Sequence, residues 1–318
     1  MKRNYNTDRE NLKDTLLKDG DYRSIREMLE RLVRYVPQNK VLAELDARKN
    51  IVFYSATDVY EEVMNLGDGL LDAGLKDAHI AIVAENSCRY VISDICISSG
   101  VGIVVPLDKD APAELLATLL KKCDANAVIC NAKLVGNVME VKTDCPELQT
   151  IITIDKPVEG CLFYDDLVEK GKSLKARSVF RNIKLDLDAP AKILFTSGTT
   201  GANKGVVLTN NNLAANIINC MDGIKADNRV NTSMSVLPMH HATEINTHVM
   251  TRMAGGRLTY INDSMRNLMT NIRIFKPTII TIVPMIANAF YKGIWSNAEK
   301  LGKTEKLKKG IKLSNTLR

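Results

Sequence analysis

The sequence has few aromatic residues, no long apolar run and no paired cysteine motif. Its 318 residues include only six Phe, nine Tyr and one Trp, which leaves few rings for stacking on nucleic-acid bases. No run approaches the roughly 18 apolar residues needed to cross a bilayer, and no apolar stretch follows the basic N-terminal residues. We therefore predict no nucleic-acid partner, no transmembrane segment and no secretion.

The seven cysteines are scattered along the chain without a C-x-x-C pair. An odd number at irregular spacing fits neither a zinc site nor a disulfide framework. We expect reduced thiols, most of them in the core, and a cytoplasmic location. The net charge of +6 is spread along the chain. It is compatible with a small polyanionic ligand.

Apolar runs alternate with helical patterns throughout, which predicts an α/β fold with parallel sheets covered by helices. Asp58 is expected to cap a helix that Gly74 ends, and Pro112 to open another. The predicted strands of the first part are 80–84, 101–106, 127–130 and 151–154.

Prolines, glycines and mixed charges in residues 156–190 predict a connector between two α/β units. We place the boundary near residue 190, giving a first subdomain over 1–190 and a second over 191–318. The second is expected to contain strands at 233–237, 257–261 and 277–283 and a helix at 242–254. The basic residues of 299–318 are expected to be a solvated end of the chain, with a nucleic-acid tail as the alternative.

Residues 195–206 form a loop rich in glycine and hydroxyl groups that follows the apolar run Ile193–Phe195. Its glycines permit close approach of backbone N–H groups to an anion, and Lys204 adds a positive charge. The common nucleotide-hydrolase pattern fails, because Gly205 follows Lys204 where Ser or Thr is required. The alternatives are an ordinary surface turn and a different type of nucleotide loop.

The segment resembles the signature of the adenylate-forming superfamily, an apolar strand followed by Thr-Ser-Gly-Thr-Thr-Gly-x-Pro-Lys-Gly. Asn203 occupies the place of the usual proline, so one backbone restraint is missing. Residues 84–87 and 105–108 resemble segments of the superfamily's first α/β unit. Residues 237–244 and 277–284 are similar to consecutive segments of its long- and medium-chain acyl-CoA synthetases. The resemblance thus covers nearly the whole chain.

The resemblance implies that the loop contacts the β- and γ-phosphates of ATP. The residues carried over are Thr196, Ser197, Gly198, Thr199, Thr200, Gly201 and Lys204. Thr200 is in addition the expected magnesium-side hydroxyl. His241 matches a histidine between the nucleotide and acyl sites and is the predicted catalytic residue.

Other residues near these motifs have open or structural interpretations. His240 has no assigned role, and Glu244 either matches a family glutamate or simply begins a helix. Met234 and Met239 could line the core or an acyl pocket, and Gly255-Gly256 could approach a ligand or form a turn. Lys192 precedes the apolar run and is expected to meet solvent.

The family's Tyr-Gly-x-Thr-Glu and Thr-Gly-Asp motifs and its lid lysine do not occur in these residues. The resemblance thus implies an incomplete second subdomain in an AMP-forming acyl-CoA synthetase that uses a carboxylic acid, ATP, Mg²⁺ and CoA. The 318-residue chain alone is expected to be inactive. The alternatives are an adenylation enzyme that loads a carrier protein and a non-catalytic nucleotide-binding fragment. The oligomeric state is not predicted.

Overall fold

The computed structural model describes Leu16 and residues 20–197, 203–223 and 232–316. Its strands are β1 Lys40–Leu45, β2 Ile51–Ser55, β3 Ala78–Val83, β4 Gly102–Pro106, β5 Ala127–Cys130, β6 Thr150–Thr153, β7 Leu162–Phe163, β8 Pro190–Ser197, β9 Asn203–Thr209, β10 Ser233–Ser235, β11 Thr259–Ile261 and β12 Ile279–Ile280. Its α-helices are α1 Ile25–Tyr35, α2 Ala56–Asp72, α3 Cys88–Cys96, α4 Ala113–Lys122, α5 Val135–Lys142, α6 Tyr164–Leu174, α7 Asn210–Gly223, α8 Thr251–Ala254, α9 Leu268–Phe275, α10 Pro284–Lys300 and α11 Thr304–Thr316. Two π-helical segments, Ile97–Val101 and Thr243–Met250, continue α3 and precede α8.

A seven-stranded sheet has the order β7-β6-β5-β3-β4-β8-β9, and all its pairs are parallel except β8–β9. Alternate residues of β3 enter different apolar clusters, Ile80 and Ile82 in one and Ala81 and Val83 in the other. Both faces are therefore buried, which explains why the central strands read as continuous apolar runs. The predicted strands at 80–84, 101–106, 127–130 and 151–154 are confirmed within about two residues at their ends.

A five-stranded sheet has the order β12-β10-β11-β1-β2, parallel except for the β1–β2 hairpin. The predicted α/β fold with two mainly parallel sheets is thus confirmed. Strands β1 and β2 come from the N-terminal part of the chain, whereas β8 and β9 join the first sheet. Neither sheet lies on one side of residue 190, and a domain boundary there remains a prediction.

The first long helix begins differently from the prediction. Ser55 caps α2 and forms a reciprocal pair with Asp58, whose carboxylate accepts the Ser55 N–H at 2.7 Å. The prediction of Asp58 as the cap was therefore wrong by three residues, because a shorter serine side chain precedes it and the carboxylate occupies the third helical position. Gly74 adopts a positive φ just after the helix, as predicted.

The predicted connector 156–190 contains β7 and the 11-residue helix α6, and its role between two α/β units remains a prediction. Helix α6 lies very close to α2: a Cβ atom added at Gly171 would be 1.7 Å from the Asn65 carbonyl oxygen, and one at Gly69 would be 2.1 Å from that of Leu167. Glycine is required at both positions because the two backbones touch. The buried residues Tyr164, Leu167, Val168 and Gly171 follow the helical period, with glycine at the contact.

The cysteines agree with the expectation of core thiols. All seven are free, and all but Cys161 and Cys220 are buried. Burial raises the pKa of Cys123 and of Cys130 to about 12, so these thiols are unreactive at neutral pH. No helix in the described part of the chain is long and apolar enough to cross a membrane.

The described residues up to Ile280 form one compact unit, and the segment from Thr281 forms a second. The second unit consists of α10 and α11. Pro284 stands at the start of α10, where its missing N–H costs nothing. The sequence analysis placed a strand over 277–283, but only Ile279 and Ile280 pair with β10.

Candidate functional site

Strands β8 and β9 are antiparallel neighbours, with Thr196 directly opposite Lys204. Both side chains are exposed. The predicted phosphate loop therefore connects the ends of a strand pair. Four of its predicted ligands lie outside the described residues: Gly198, Thr199, Thr200 and Gly201. For a fifth, Ser197, only the backbone is described. The roles of all these residues remain predictions.

A second cation lies beside this strand pair. The ammonium group of Lys122, at the end of α4, contacts the backbone carbonyl of Asn203. Lys122 and Lys204 thus bring two positive charges to the start of β9. Sequence reasoning missed Lys122 because it is 81 residues away from Asn203 in the chain. Only the sheet order, which places β4 beside β8, brings α4 near the loop.

Lys192 is not at the surface, and its predicted contact with solvent was wrong. Its side chain is completely buried in β8, where the ammonium group lies 2.7 Å from the carboxylate of Asp94 and 2.8 Å from the amide oxygen of Asn246. Burial raises the pKa of Asp94, while Lys192 acts in the opposite direction. The strand that leads to the phosphate loop is thus tied to α3 and to the π-helix by polar contacts within the core.

The predicted catalytic histidine lies in a turn after β10. His241 is exposed, and its ring lies 4.1 Å from that of His240 between centroids. The Nδ1 atom of His240 is 4.0 Å from the carboxylate of Asp108, which follows β4. Burial and His241 lower the pKa of His240, and Asp108 and Asp110 oppose that shift. The lowered pKa favours the neutral form of His240.

Asn86 holds the backbone of the same turn. Its amide nitrogen donates to the Leu237 carbonyl at 2.8 Å, and its amide oxygen accepts the Met239 N–H at 3.1 Å. Met239 itself is buried in the main apolar cluster. The sequence analysis placed Asn86 only in a matched segment and gave it no role.

Glu244 lies in the first turn of the π-helix, which agrees with the prediction that it begins a helix. Its side chain is completely buried. Its carboxylate lies 3.1 Å from Nδ1 of His248, four residues later. Sequence reasoning gave no role to His248, although a Glu and a His four residues apart on a helix commonly pair. Gly255 and Gly256 form the turn between α8 and β11, and Gly256 has a positive φ.

Parallel strands β4 and β8 end at the same edge of the seven-stranded sheet, where ligands of α/β folds commonly bind. Asp108 follows β4 there, and Thr196 and Lys204 lie at the end of the β8–β9 pair. His240, in the turn after β10, lies close to Asp108, so this turn is also at the same edge. Residues of both predicted motifs therefore lie at the same edge of the sheet.

No group of three or more His, Cys, Asp or Glu side chains that could hold a metal ion occurs in the described ranges. The only predicted magnesium ligand is Thr200, which lies outside them.

The family described as AMP-binding enzyme matches residues 36–317. The chain belongs to this family. It is 27% identical over 269 residues to the long-chain-fatty-acid–CoA ligase 5 of Rattus norvegicus, covering 77% of this chain and 38% of the relative. It is 28% identical over 252 residues to the chloroplastic long-chain-fatty-acid–[acyl-carrier-protein] ligase AEE15 of Arabidopsis thaliana, covering 74% of this chain and 34% of the relative. This AMP-binding chain thus spans little more than a third of the length of these relatives.

Among solved structures, a long-chain-fatty-acid-CoA ligase from Archaeoglobus fulgidus superposes with a TM-score of 0.74 at 20% identity, covering 86% of this chain and 54% of that one. The adenylation domain of a carboxylate reductase from Mycobacterium chelonae gives a TM-score of 0.76 at 14% identity, covering 92% of this chain and 50% of that one. The AMP-binding chain therefore has the fold of the N-terminal part of these proteins.

Proposed function

We propose that the protein activates a fatty acid with ATP and then transfers the acyl group to CoA. One carboxylate oxygen attacks the α-phosphorus of ATP, and the bond to the bridging oxygen breaks to release pyrophosphate. The CoA sulfur then attacks the acyl carbonyl, and AMP leaves. The observation that carries the proposal is the placement of the Thr196–Lys204 strand ends and of the histidine turn at the same edge of the sheet.

In this proposal the residues of the chain bind and orient the reactants. Thr196, Lys204 and the intervening loop hold the β- and γ-phosphates, with Lys122 adding positive charge nearby. His241 helps to position the acid carboxylate beside the α-phosphate. Such positioning and charge neutralisation supply most of the catalysis expected for attack on phosphorus. Magnesium, with Thr200 as a proposed ligand, would neutralise phosphate charge.

A second candidate function is acyl transfer to a carrier protein. It is favoured by the similarity to the acyl-carrier-protein ligase AEE15, which matches as well as the CoA ligases do. The two functions share the adenylation step and differ only in the thiol. Supplying CoA or a phosphopantetheinyl carrier protein to the acyl-adenylate and identifying the thioester by mass spectrometry distinguishes them. The same relatives also leave the compartment open, and a cytoplasmic location remains part of the proposal.

Calorimetric titration of the 318-residue chain with ATP and with fatty acids of increasing length tests the proposed ligands. We expect both to bind, and failure of both would reject the function. We also propose that this chain alone does not complete adenylation, because the family's magnesium-binding glutamate, ribose-binding aspartate and lid lysine do not occur in it. Acid-dependent pyrophosphate release by the purified chain would contradict that part and leave the ligand assignment intact.

A further inference from the structure

The Asn86 side chain spans a turn of the backbone that belongs to a different sheet. Asn86 follows β3 of the seven-stranded sheet, whereas the turn follows β10 of the five-stranded sheet. Its amide nitrogen donates to the carbonyl of residue 237 at 2.8 Å. Its amide oxygen accepts the N–H of residue 239 at 3.1 Å. Between them stands Pro238, which has no N–H to offer. A single amide therefore satisfies the backbone groups on both sides of the proline.

The backbone of residues 237–241 holds His240 and His241 in place. The His241 N–H donates to the Pro238 carbonyl at 3.2 Å, and the side chain of Met239 is buried. His240 approaches Asp108 and stacks at a tilt on His241. Because the backbone from residue 237 to 241 is held at several points, the imidazoles have a defined place relative to β4. Asn86 provides the two points of attachment that come from the other sheet.

We propose that Asn86 is a positioning residue, which holds the turn of residues 237–241 so that its histidines face the carboxyl edge of β4 and β8. The inference rests on the proposed function, in which an acid carboxylate must meet the α-phosphate at that edge. Asn86 touches neither reactant in this scheme and acts through the turn. A displacement of about 1 Å at such a site can cost on the order of a hundredfold in rate.

Asn131 is a matched control for the variant Asn86→Ala. Its amide oxygen accepts the Glu85 N–H at 2.7 Å, so it stabilises the loop after β3 by the same kind of bond. No described contact links it to the histidine turn. Asn131→Ala therefore reports the effect of loosening the loop alone, and thermal unfolding of both variants establishes the temperature at which each is folded.

The first measurement is NMR titration of the histidine side chains in the 318-residue chain, which has only four histidines. The groups that act on His240 are His241, Asp108, Asp110 and Lys109. We expect Asn86→Ala to shift the signals of His240 and His241 and to move the pKa of His240 toward its ordinary value. Asn131→Ala should leave both signals in place. Unchanged histidine signals in Asn86→Ala, or equal shifts in both variants, would overturn the proposal.

The second measurement is ATP- and acid-dependent thioester formation by a polypeptide that joins this chain to the family's glutamate, aspartate and lysine motifs that do not occur in it. Asn86→Ala should lower kcat/KM for the acid by roughly 10- to 100-fold, with the KM for ATP unchanged. In the His240→Ala/His241→Ala background the same change should have less than about a twofold further effect, because residues that act through one unit are not additive. A full additional loss in that background would refute the positioning role. If no acid is activated at all, the proposed function fails while the NMR result still decides the role of Asn86.

Discussion

The ammonium group of Lys192 lies 2.7 Å from the Asp94 carboxylate, and neither side chain is exposed to solvent. Removing two charges from water is costly, and the pair is retained only because each compensates the other and Asn246 accepts a further hydrogen bond from Lys192. The contact joins β8, which leads to the phosphate loop, to the helix that follows Asn86. Through Asn246 the same ammonium group also connects β8 with the π-helix that follows the histidine turn.

Loss of one member of this pair should destabilise the fold strongly. We expect Lys192→Met to lower the free energy of unfolding by about 3–5 kcal/mol, because it leaves a buried unpaired carboxylate. The double variant Lys192→Met/Asp94→Leu should regain most of that loss. Urea unfolding followed by circular dichroism measures both, and a double variant as unstable as the single one would show that the charges do not compensate each other.

Lys204→Ala should weaken ATP binding by about 1 to 3 kcal/mol, since it removes the charge-assisted hydrogen bond that we propose Lys204 donates to a phosphate. Lys184→Ala is the control, because Lys184 lies by Gly102 and Pro190, where β4 and β8 begin, at the opposite edge of the sheet. Isothermal titration calorimetry gives both affinities. Equal affinity of Lys204→Ala and the unaltered chain would exclude Lys204 from the nucleotide site.

The lowered pKa of His240 makes stability depend on pH in a defined direction. Between the folded-state pKa and the ordinary value near 6.5, the unfolded chain binds more protons than the folded chain. Stability should therefore rise with pH through this window and level off above it. His240→Asn should flatten this part of the profile in urea unfolding at pH values from about 5 to 8. An unchanged slope in the variant would mean that His240 titrates normally.

The contact between α2 and α6 should not tolerate a methyl group. Gly171→Ala places a Cβ atom 1.7 Å from a backbone carbonyl, so we expect a loss of more than about 3 kcal/mol or failure to fold. Gly136→Ala in α5 meets no atom within 4 Å and should be neutral or stabilising by up to about 1 kcal/mol. The thermal unfolding midpoints of the Gly171→Ala and Gly136→Ala variants are compared. Equal midpoints would mean that α2 and α6 can separate at little cost in free energy.

The central strands of the first sheet could be predicted because both of their faces are buried, which makes them short unbroken apolar runs. The β1–β2 hairpin and β9 were missed, because apolar and polar residues alternate only weakly along these strands. In β9, Val206 and Val207 are exposed. The pairing of β1 with β11 follows from no local signal. Helix α6 was missed although Tyr164, Leu167 and Val168 have the spacing of one helix face.

Part of the candidate site was readable from the sequence because its residues are contiguous. The loop with Lys204 and the turn with His241 are continuous motifs, and their proposed roles come from a resemblance. Lys122, Asp108 and Asn86 are joined to them only by the order of the strands. Lys192 was misjudged because an isolated lysine before a strand normally reaches water, and only the tertiary structure reveals Asp94 opposite it.

The distance in sequence between the partners of the five-stranded sheet affects when it can form. The Asn39 amide donates to the Gly256 carbonyl across 217 residues, and β1 pairs with β11 beside it. During synthesis the β1–β2 hairpin emerges from the ribosome long before β11 does, and two strands alone are barely stable in water. The edge of β1 that pairs with β11 therefore remains unpaired while the strands of the seven-stranded sheet are synthesised. Until β11 is made, this edge of β1 is open to pairing with other extended segments.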